Sequence, residues 1–309
     1  MGPMYTKPVG EICKKHGLGH HFYADDSQLY LSFEPTDGAA QNETLNRVEK
    51  CLQDIISWMN TNMLKLNTDK TEVIVFSSQN NAKFVEGLTV KVGDSTIKPS
   101  QFVRNLGAWF DSRMNMKHHI NAISRSCFGQ IRQIGHIRQY LTPNATKSLV
   151  NSLVTSRLDY CNALLYGTQT SAIKKLQNVQ NTAARVITRT SRYSHITPVL
   201  KELHWLPVEK RIHFKILTNT FKALNGQSPV YLKNLLEVYE PKRNLRSKNE
   251  ATSLVIPTKI KSVSNGERSF MYAAPKLWNS LPSNVRGSLT LNSFKKALKT
   301  HLFLQSYAT

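Results

Sequence analysis

The chain has 309 residues, 40% of them hydrophobic, enough for packed cores and too many for a disordered tail. Lys and Arg number 41 against 20 Asp and Glu, a formal charge of +21. No apolar run approaches a membrane span and no basic-then-apolar leader opens the sequence. The four cysteines are scattered without a CxxC pair, so the expectation is an intracellular protein in a reducing compartment, not a membrane, secreted or disulfide-framed one.

The charge is unevenly placed. Residues 1–111 carry 11 basic and 13 acidic side chains, a net of −2, whereas residues 112–309 carry 30 and 7, a net of +23. One near-neutral half and one cationic half is the pattern of a region that holds a polyanion, with nucleic acid favoured over a soluble basic surface that has no partner.

In chain order, residues 21–23 and 28–33 are rich in aromatic and β-favouring side chains, and Ala24-Asp25-Asp26-Ser27 between them has turn composition. Together they read as a hairpin with two carboxylates at its tip. Leu45, Val48, Leu52, Ile55, Ile56 and Met59 then recur at three- and four-residue steps and predict an amphipathic helix. Beyond Asn60 the period shortens. Residues 63–67 are short and extended, residues 71–76 form a β-branched run, and residues 88–92 and 95–98 flank Gly93-Asp94, a hairpin signal. Residues 102–110 add an extended piece around Gly107, so the first part predicts an α+β unit.

From about Met116 the pattern is helical. Ile120, Ile123, Ile131, Ile134 and Ile137 line one face, with Arg125, Arg132 and Arg138 off it. Thr142-Pro143 reads as an N-cap and first-turn proline, opening a helix that carries Leu149, Val150, Leu153, Val154 and Leu158. Ile173, Leu176, Val179, Ala183 and Ile187 form a third stripe flanked by Lys174, Lys175, Arg185 and Arg189, and residues 208–224 form a fourth. Pro241, Pro257, Gly266, Pro275 and Pro282 interrupt residues 241–290, and a last helix is expected near 291–304.

Two clusters invite a chemical reading. Cys13, His16, His20 and His21 have spacing that zinc could use, but structural zinc sites usually close with paired ligands from two arms. His20 and His21 would also point to opposite faces of a strand, so separate structural roles are favoured. Asp25 and Asp26 are different. Adjacent carboxylates repel unless a cation lies nearby, and Mg²⁺ typically takes one or two carboxylates plus substrate phosphates. Two such ions can activate an attacking hydroxyl and stabilise a leaving pyrophosphate oxygen, and a hairpin tip on rigid strands gives the positioning that needs. A solvated turn is the plain alternative.

The segment Phe22-Tyr23-Ala24-Asp25-Asp26 followed by Leu29-Tyr30-Leu31 resembles the catalytic hairpin of reverse transcriptases. Gly2-Pro3 and Tyr5-Thr6-Lys7-Pro8 resemble the end of the preceding family motif. Trp58, Asn62, Leu64-Lys65-Leu66-Asn67 and Lys70-Thr71-Glu72 resemble the next one, and Asn105-Leu106-Gly107 with Asp111 the one that grips the primer. Ser156-Arg157-Leu158-Asp159-Tyr160-Cys161-Asn162, Leu176-Gln177-Asn178-Val179-Gln180-Asn181 and Leu203-His204-Trp205-Leu206-Pro207-Val208 look like thumb and post-thumb blocks of non-LTR, LINE-type retrotransposon polymerases, Jockey-like and related animal elements above all. Ala274-Pro275-Lys276-Leu277-Trp278-Asn279-Ser280-Leu281-Pro282 resembles their C-terminal block.

That resemblance implies roles. Asp25 and Asp26 would be catalytic and metal-binding, Tyr23 would lie beside the primer end, and Lys70 would donate a proton to, or neutralise, the leaving pyrophosphate. Gly107 would let backbone approach the primer. Arg125, Arg132, Lys174, Lys175, Arg185 and Arg189 would contact phosphates without reading sequence. A solvated lysine, a plain turn glycine and a solvated helix face are the respective alternatives. Trp205 and Trp278 sit in apolar settings that favour core packing over base stacking.

Where the chain departs from the family, it begins inside the motif before the hairpin. No acid in residues 1–19 has the setting of the family's upstream metal-binding aspartate, and the fingers and endonuclease are not in it. The expectation is a truncated palm over 1–111, a helical thumb-like region over 112–225 and a C-terminal element-specific region over 226–309. Such a chain would hold an incomplete Mg²⁺ or Mn²⁺ site and have no polymerase activity by itself. RNA template, DNA primer and a nuclear site of action are implied by the family alone. The alternatives are a non-enzymatic nucleic-acid-binding remnant of a mobile element and a relic with no function.

Overall fold

The computed structural model describes residues 3–240, 252–259 and 263–307, in two compact units, Met1–Asn115 and Met116–Thr309. Gly2 and Pro241 of the sequence reading lie outside the described residues.

The first unit opens on a helix the sequence reading did not anticipate, α1 (Pro3–Lys15). Val9, Ile12 and Cys13 recur at helical spacing and pack against α2 (Gly38–Thr61) through its Cys51, Ile55 and Met59. α2 begins before the periodic stretch because Asp37 caps it, its carboxylate accepting the backbone N–H of Ala39 (2.9 Å) and Ala40 (3.1 Å). Polar pins fix the pair: His16 Nε2 meets the Asp54 carboxylate at 2.9 Å and the Arg47 guanidinium donates to the His16 carbonyl at 3.0 Å. Cys13 and Cys51 are both fully buried free thiols, and burial, then the neighbouring Cys13 thiol, pushes Cys51 up to about 12.

Three two-stranded antiparallel hairpins complete this unit: β1 (Gly19–Tyr23) with β2 (Asp26–Tyr30), β3 (Val90–Val92) with β4 (Ser95–Ile97), and β5 (Phe102–Asn105) with β6 (Ala108–Asp111). Among the described residues they do not join into a wider sheet. Residues 71–76, expected as a strand, find no ladder. The segment makes isolated bonds, with Ser100 N–H donating to the Val73 carbonyl at 2.7 Å and, just beyond it, Ser77 N–H to the Ser112 carbonyl at 3.1 Å. An isolated hairpin is marginal in water. The β1–β2 hairpin gains a core by laying Phe22 and Leu29 on the α1–α2 cluster.

Among its described residues, the regular structure of the second unit is helical apart from one bridge between Val238 and Leu254. Its helices are α3 (Lys117–Ile137), α4 (Pro143–Val150), α5 (Ser156–Asp159), α6 (Thr170–Thr188), α7 (Ile196–Glu202), α8 (Val208–Leu224), α9 (Val230–Lys233), α10 (Val263–Gly266), α11 (Phe270–Asn279), α12 (Ser283–Arg286) and α13 (Leu291–Tyr307). A π-helical turn, Asn151–Thr155, joins α4 to α5. Thr142 is the N-cap read from sequence, its hydroxyl accepting Ala145 N–H at 3.2 Å. α3 and α6 run side by side in the same direction. Lys175 donates to Asn121 at 2.9 Å near one end, and Arg138 donates to the carbonyls of Val186 and Ile187, both at 2.9 Å, at the other. Ile120, Ile131 and Ile134 are buried as read, but Ile137 is exposed and Arg138 is buried. The chain tightens there into the 3₁₀ turn Arg138–Tyr140, which carries the arginine inward.

The expected division at 225 is not seen. Leu217 and Phe221 of α8 share one core with Trp278 of α11 and with Phe294, Leu298 and Leu302 of α13, the Phe221 and Phe294 rings stacking at 4.5 Å. Residues 116–225 and 226–309 therefore contribute to the same unit, while residues 112–115 belong to the first. The boundary follows Asn115 because the buried Asp111 carboxylate accepts the N–H of Arg113 (3.2 Å) and Asn115 (3.0 Å), tying those residues back to β6. No helix among the described residues is long and apolar enough to cross a membrane.

Candidate catalytic hairpin and nucleic-acid interface

Strand alternation sorts the β1–β2 hairpin into two faces. Its register pairs Gly19 with Tyr30, His20 with Leu29, His21 with Gln28, Phe22 with Ser27 and Tyr23 with Asp26. His20, Phe22 and Leu29 face the helices, where the His20 and Phe22 rings lie 5.0 Å apart. His21, Tyr23, Asp26, Gln28 and Tyr30 share the other face. There the His21 and Tyr30 rings stack at 5.5 Å, and Tyr23 is 67% exposed. Gly19 makes this possible: a Cβ on it would lie 2.3 Å from the Tyr30 ring.

Ala24 and Asp25 form the tip, with Ala24 at φ +54°. Asp25 and Asp26 are exposed, and neither side chain has an ion-pair or hydrogen-bond partner among the described residues. Two such carboxylates suit the protein's share of one divalent ion, which takes hard oxygen ligands. Among the described residues no third His, Cys, Asp or Glu joins them in a metal-holding group.

The hairpin is tied to a second turn. Gln28 Nε2 donates to Asn105 Oδ1 at 2.8 Å, and Asn105 precedes the Leu106-Gly107 turn of β5–β6. Both turn residues have positive φ, +44° and +83°, the backbone a type I′ hairpin demands. The Gln28–Asn105 bond thus connects the Asp-Asp hairpin to the turn that holds Gly107. Reading alternation outward from Tyr23 would have found Gln28. Lys70 is elsewhere. It lies exposed on the 3₁₀ turn Thr68–Lys70, where Asn67 Oδ1 accepts its backbone N–H at 3.2 Å. No hydrogen bond or ion pair joins it to the tip among the described residues. The zinc-like cluster is dispersed: Cys13 packs on α2, His16 meets Asp54, and His20 and His21 point to opposite faces.

In the helical unit, Arg125 and Arg132 on α3 and Lys174 and Lys175 on α6 are exposed. Arg185 is half-buried and donates to the carbonyls of Ser191 (3.3 Å) and Ser194 (3.0 Å), so part of its donor fork holds a loop. Arg189, at the end of α6 with φ +55°, is exposed. Asp159, the sole acidic residue between Ser112 and Leu200, forms a two-pronged pair with Arg211, its Oδ1 accepting from Nε at 2.8 Å. Among the described residues, no ion pair joins Arg125, Arg132, Lys174, Lys175 or Arg189 to an acid.

The sequence blocks of this unit turn out to hold one another. Gln177 Oε1 accepts Val208 N–H at 2.9 Å, Gln180 donates to the Leu206 carbonyl at 2.8 Å, and Tyr307 donates to the Trp205 carbonyl at 2.7 Å. Trp278 Nε1 donates to the Thr252 carbonyl at 2.8 Å, and Trp205 and Trp278 are both buried in the core.

Among curated proteins, the chain is 26% identical over 245 residues to the "Probable RNA-directed DNA polymerase from transposon BS" of Drosophila melanogaster. The similarity is to a reverse transcriptase. It covers 76% of this chain and 25% of the relative, so the chain spans about a quarter of that protein's length. No protein-family model matches, and no solved structure does either. The distant relationship supports the polymerase resemblance in its broad form.

Proposed function

We propose that this chain is the palm-to-C-terminal portion of an RNA-directed DNA polymerase from a LINE-type retrotransposon. The observation that carries the reading is the pair of unpartnered carboxylates, Asp25 and Asp26, on a hairpin tied through Gln28 and Asn105 to the Leu106-Gly107 turn. In this reading Asp25 and Asp26 hold Mg²⁺ or Mn²⁺, and Tyr23, alongside Asp26 on the open face, supports the primer end. A bound divalent ion would supply charge stabilisation and activation of the primer hydroxyl. Gly107 lets backbone approach the primer, and Lys70 donates a proton to, or neutralises, the leaving pyrophosphate. Arg125, Arg132, Lys174, Lys175 and Arg189 bind template–primer phosphates, with Arg185 contributing the donors its loop leaves over. Because the 309 residues bring two carboxylates to the tip, they are expected to be inactive as a polymerase by themselves. A nuclear site of action follows from the same reading.

The test is divalent-ion binding followed by Mn²⁺-induced NMR line broadening, paired with primer extension on an RNA template. Broadening centred on residues 23–27 and abolished by Asp25→Asn is expected, without extension. Broadening that persists in Asp25→Asn would remove the metal role, and template-dependent extension lost in Asp25→Asn would overturn the inactivity. The charge of the helical unit favours one second reading, a non-enzymatic nucleic-acid-binding remnant. That reading predicts salt-dependent binding to an RNA–DNA duplex that is weakened by neutralising Lys174 and Lys175, with no divalent-ion binding at the tip.

A further inference from the structure

The C-terminal end of α6 carries two tyrosines that packing does not explain. Tyr140 is 81% exposed and Tyr193 is 82% exposed, each in a short segment fastened to the last turns of this helix. The Arg138–Tyr140 turn is held by Arg138, which donates to the Val186, Ile187 and Leu141 carbonyls, and Arg189 returns a bond to the Arg138 carbonyl at 3.5 Å. The loop bearing Tyr193 is held by Arg185 through the Ser191 and Ser194 carbonyls. Arg192 lies over the Tyr193 ring at 4.7 Å from its centroid, which covers one face of that ring.

The electrostatics at this end are unusual. A helix C-terminus carries partial negative charge and ordinarily repels phosphate. Here the buried Arg138 sits directly on the last carbonyls, and Arg189 and Arg192 add exposed positive charge. From Ser112 to Leu200 there are 12 basic residues and one acid, Asp159, which is committed to Arg211. Exposed aromatic rings beside Arg189 and Arg192, which make no ion pair among the described residues, fit unpaired bases, whose π-faces stack while the flanking phosphates meet the arginines. A duplex, with its bases already stacked, would use only the charges.

We propose that Tyr140 and Tyr193, with Arg189 and Arg192, form a stacking site for single-stranded nucleic acid on the helical unit, separate from the Asp25–Asp26 hairpin. The site rests on the reading that this unit handles nucleic acid and extends it from phosphate contact to base contact. Fluorescence anisotropy on the full chain tests it, with labelled oligo-dT and oligo-U strands of about 12 nucleotides, within the range one groove can track, and a duplex of equal length. Tyr140→Ala and Tyr193→Ala should each weaken single-strand binding by about fivefold or more and leave duplex binding within about twofold, while Tyr140→Phe keeps the ring and binds as the parent does, and Tyr193→Phe, which loses only the Arg192 bond to its hydroxyl, stays within about twofold. Arg192→Gln should flatten the salt dependence by about one counterion. Alanine variants that bind like the parent, or that lose single strand and duplex equally, would overturn the stacking site. Asp25→Asn is expected to change none of these affinities. A failed metal test with stacking intact thus removes the polymerase reading alone, and lost stacking with the metal test intact removes this one.

Discussion

Arg138→Ala probes the frame of the helical unit. The guanidinium donates to three carbonyls, Val186 and Ile187 at 2.9 Å and Leu141 at 2.8 Å, and two of them belong to the final turn of α6, where no intrahelical donor is left. A hydrogen bond to a charged group contributes about 1.5–3 kcal/mol, and a cation at a partly buried helix C-terminus contributes up to about 2 kcal/mol. These contributions share one group and do not add, so the expected loss is about 3–5 kcal/mol. Arg138→Lys keeps the charge and loses the planar fork, so it should cost roughly half as much. Arg132→Ala, exposed on α3 six residues earlier, should stay within about 0.5 kcal/mol. Urea unfolding of the full chain followed by far-UV ellipticity reads the difference; with a slope near 2 kcal/mol/M the Arg138→Ala midpoint falls by about 1.5–2.5 M. If Arg138→Ala unfolds within about 1 kcal/mol of Arg132→Ala, Arg138 does not cap α6.

Three further outcomes are expected. Trp278→Ala removes a ring packed 5.6 Å from Phe294 and should cost about 3–5 kcal/mol, while Trp278→Phe removes one of two donors to the Thr252 carbonyl, Arg286 remaining at 3.2 Å, and should cost about 0.5–1.5 kcal/mol; loss of nucleic-acid affinity in Trp278→Phe at unchanged stability would make it a stacking residue instead. His119, His213 and His301 are held below the ordinary imidazole value, each chiefly by burial, with His118 adding to the first and Lys210 to the other two. Because the unfolded chain takes these protons more readily, their contribution is complete above about pH 6.5 and is lost as pH falls from there through the folded values, by at most about 1.4 kcal/mol per proton per pH unit. Urea midpoints that hold constant or rise between about pH 6.5 and 5 would contradict this. Gly19→Ala should push the Tyr30 ring off His21 with little change in stability, seen as loss of the ring-current shift on His21; an unchanged His21 spectrum would refute the close approach.

The elements legible in the sequence were those with a local signal. Gly93-Asp94 marked its hairpin, Thr142-Pro143 its helix start, and residues 208–224 the helix α8. α1 was missed because Pro8 and Gly10 hide a short apolar repeat that acquires meaning only against Cys51 and Ile55. Residues 71–76 were read as a strand from β-branched composition, but a strand needs a partner, and no ladder forms beside it among the described residues. Arg138 could not be told from Arg132 by period alone, since its burial depends on a 3₁₀ turn at the helix end. At the candidate site the two carboxylates were legible and the Gln28–Asn105 tie was not, because it joins residues 77 apart.

The three hairpins of the first unit offer an internal control on whether the Asp-Asp turn is ordinary. The β3–β4 turn places Gly93 at φ +61°, where the backbone requires it and no Cβ is strained. The β1–β2 turn places Ala24 at φ +54°, and the β5–β6 turn places Leu106 at φ +44° ahead of Gly107. A side chain in the left-handed region costs roughly 1–2 kcal/mol, and a sequence selected for stability alone would put Asn or Gly there. The β1–β2 tip also carries two adjacent exposed carboxylates without a cationic partner among the described residues, a second unfavourable choice in the same four residues. Left-handed non-glycine residues also occur at Met63, Met114, Met116, Cys161, Arg189 and His204, but these two hairpin turns are the ones that Gln28 and Asn105 tie together. Asp25→Asn relieves the carboxylate repulsion and Leu106→Gly the left-handed side chain, so the double variant should raise the urea midpoint; an unchanged or lower midpoint would refute the unfavourable local choices at these two turns.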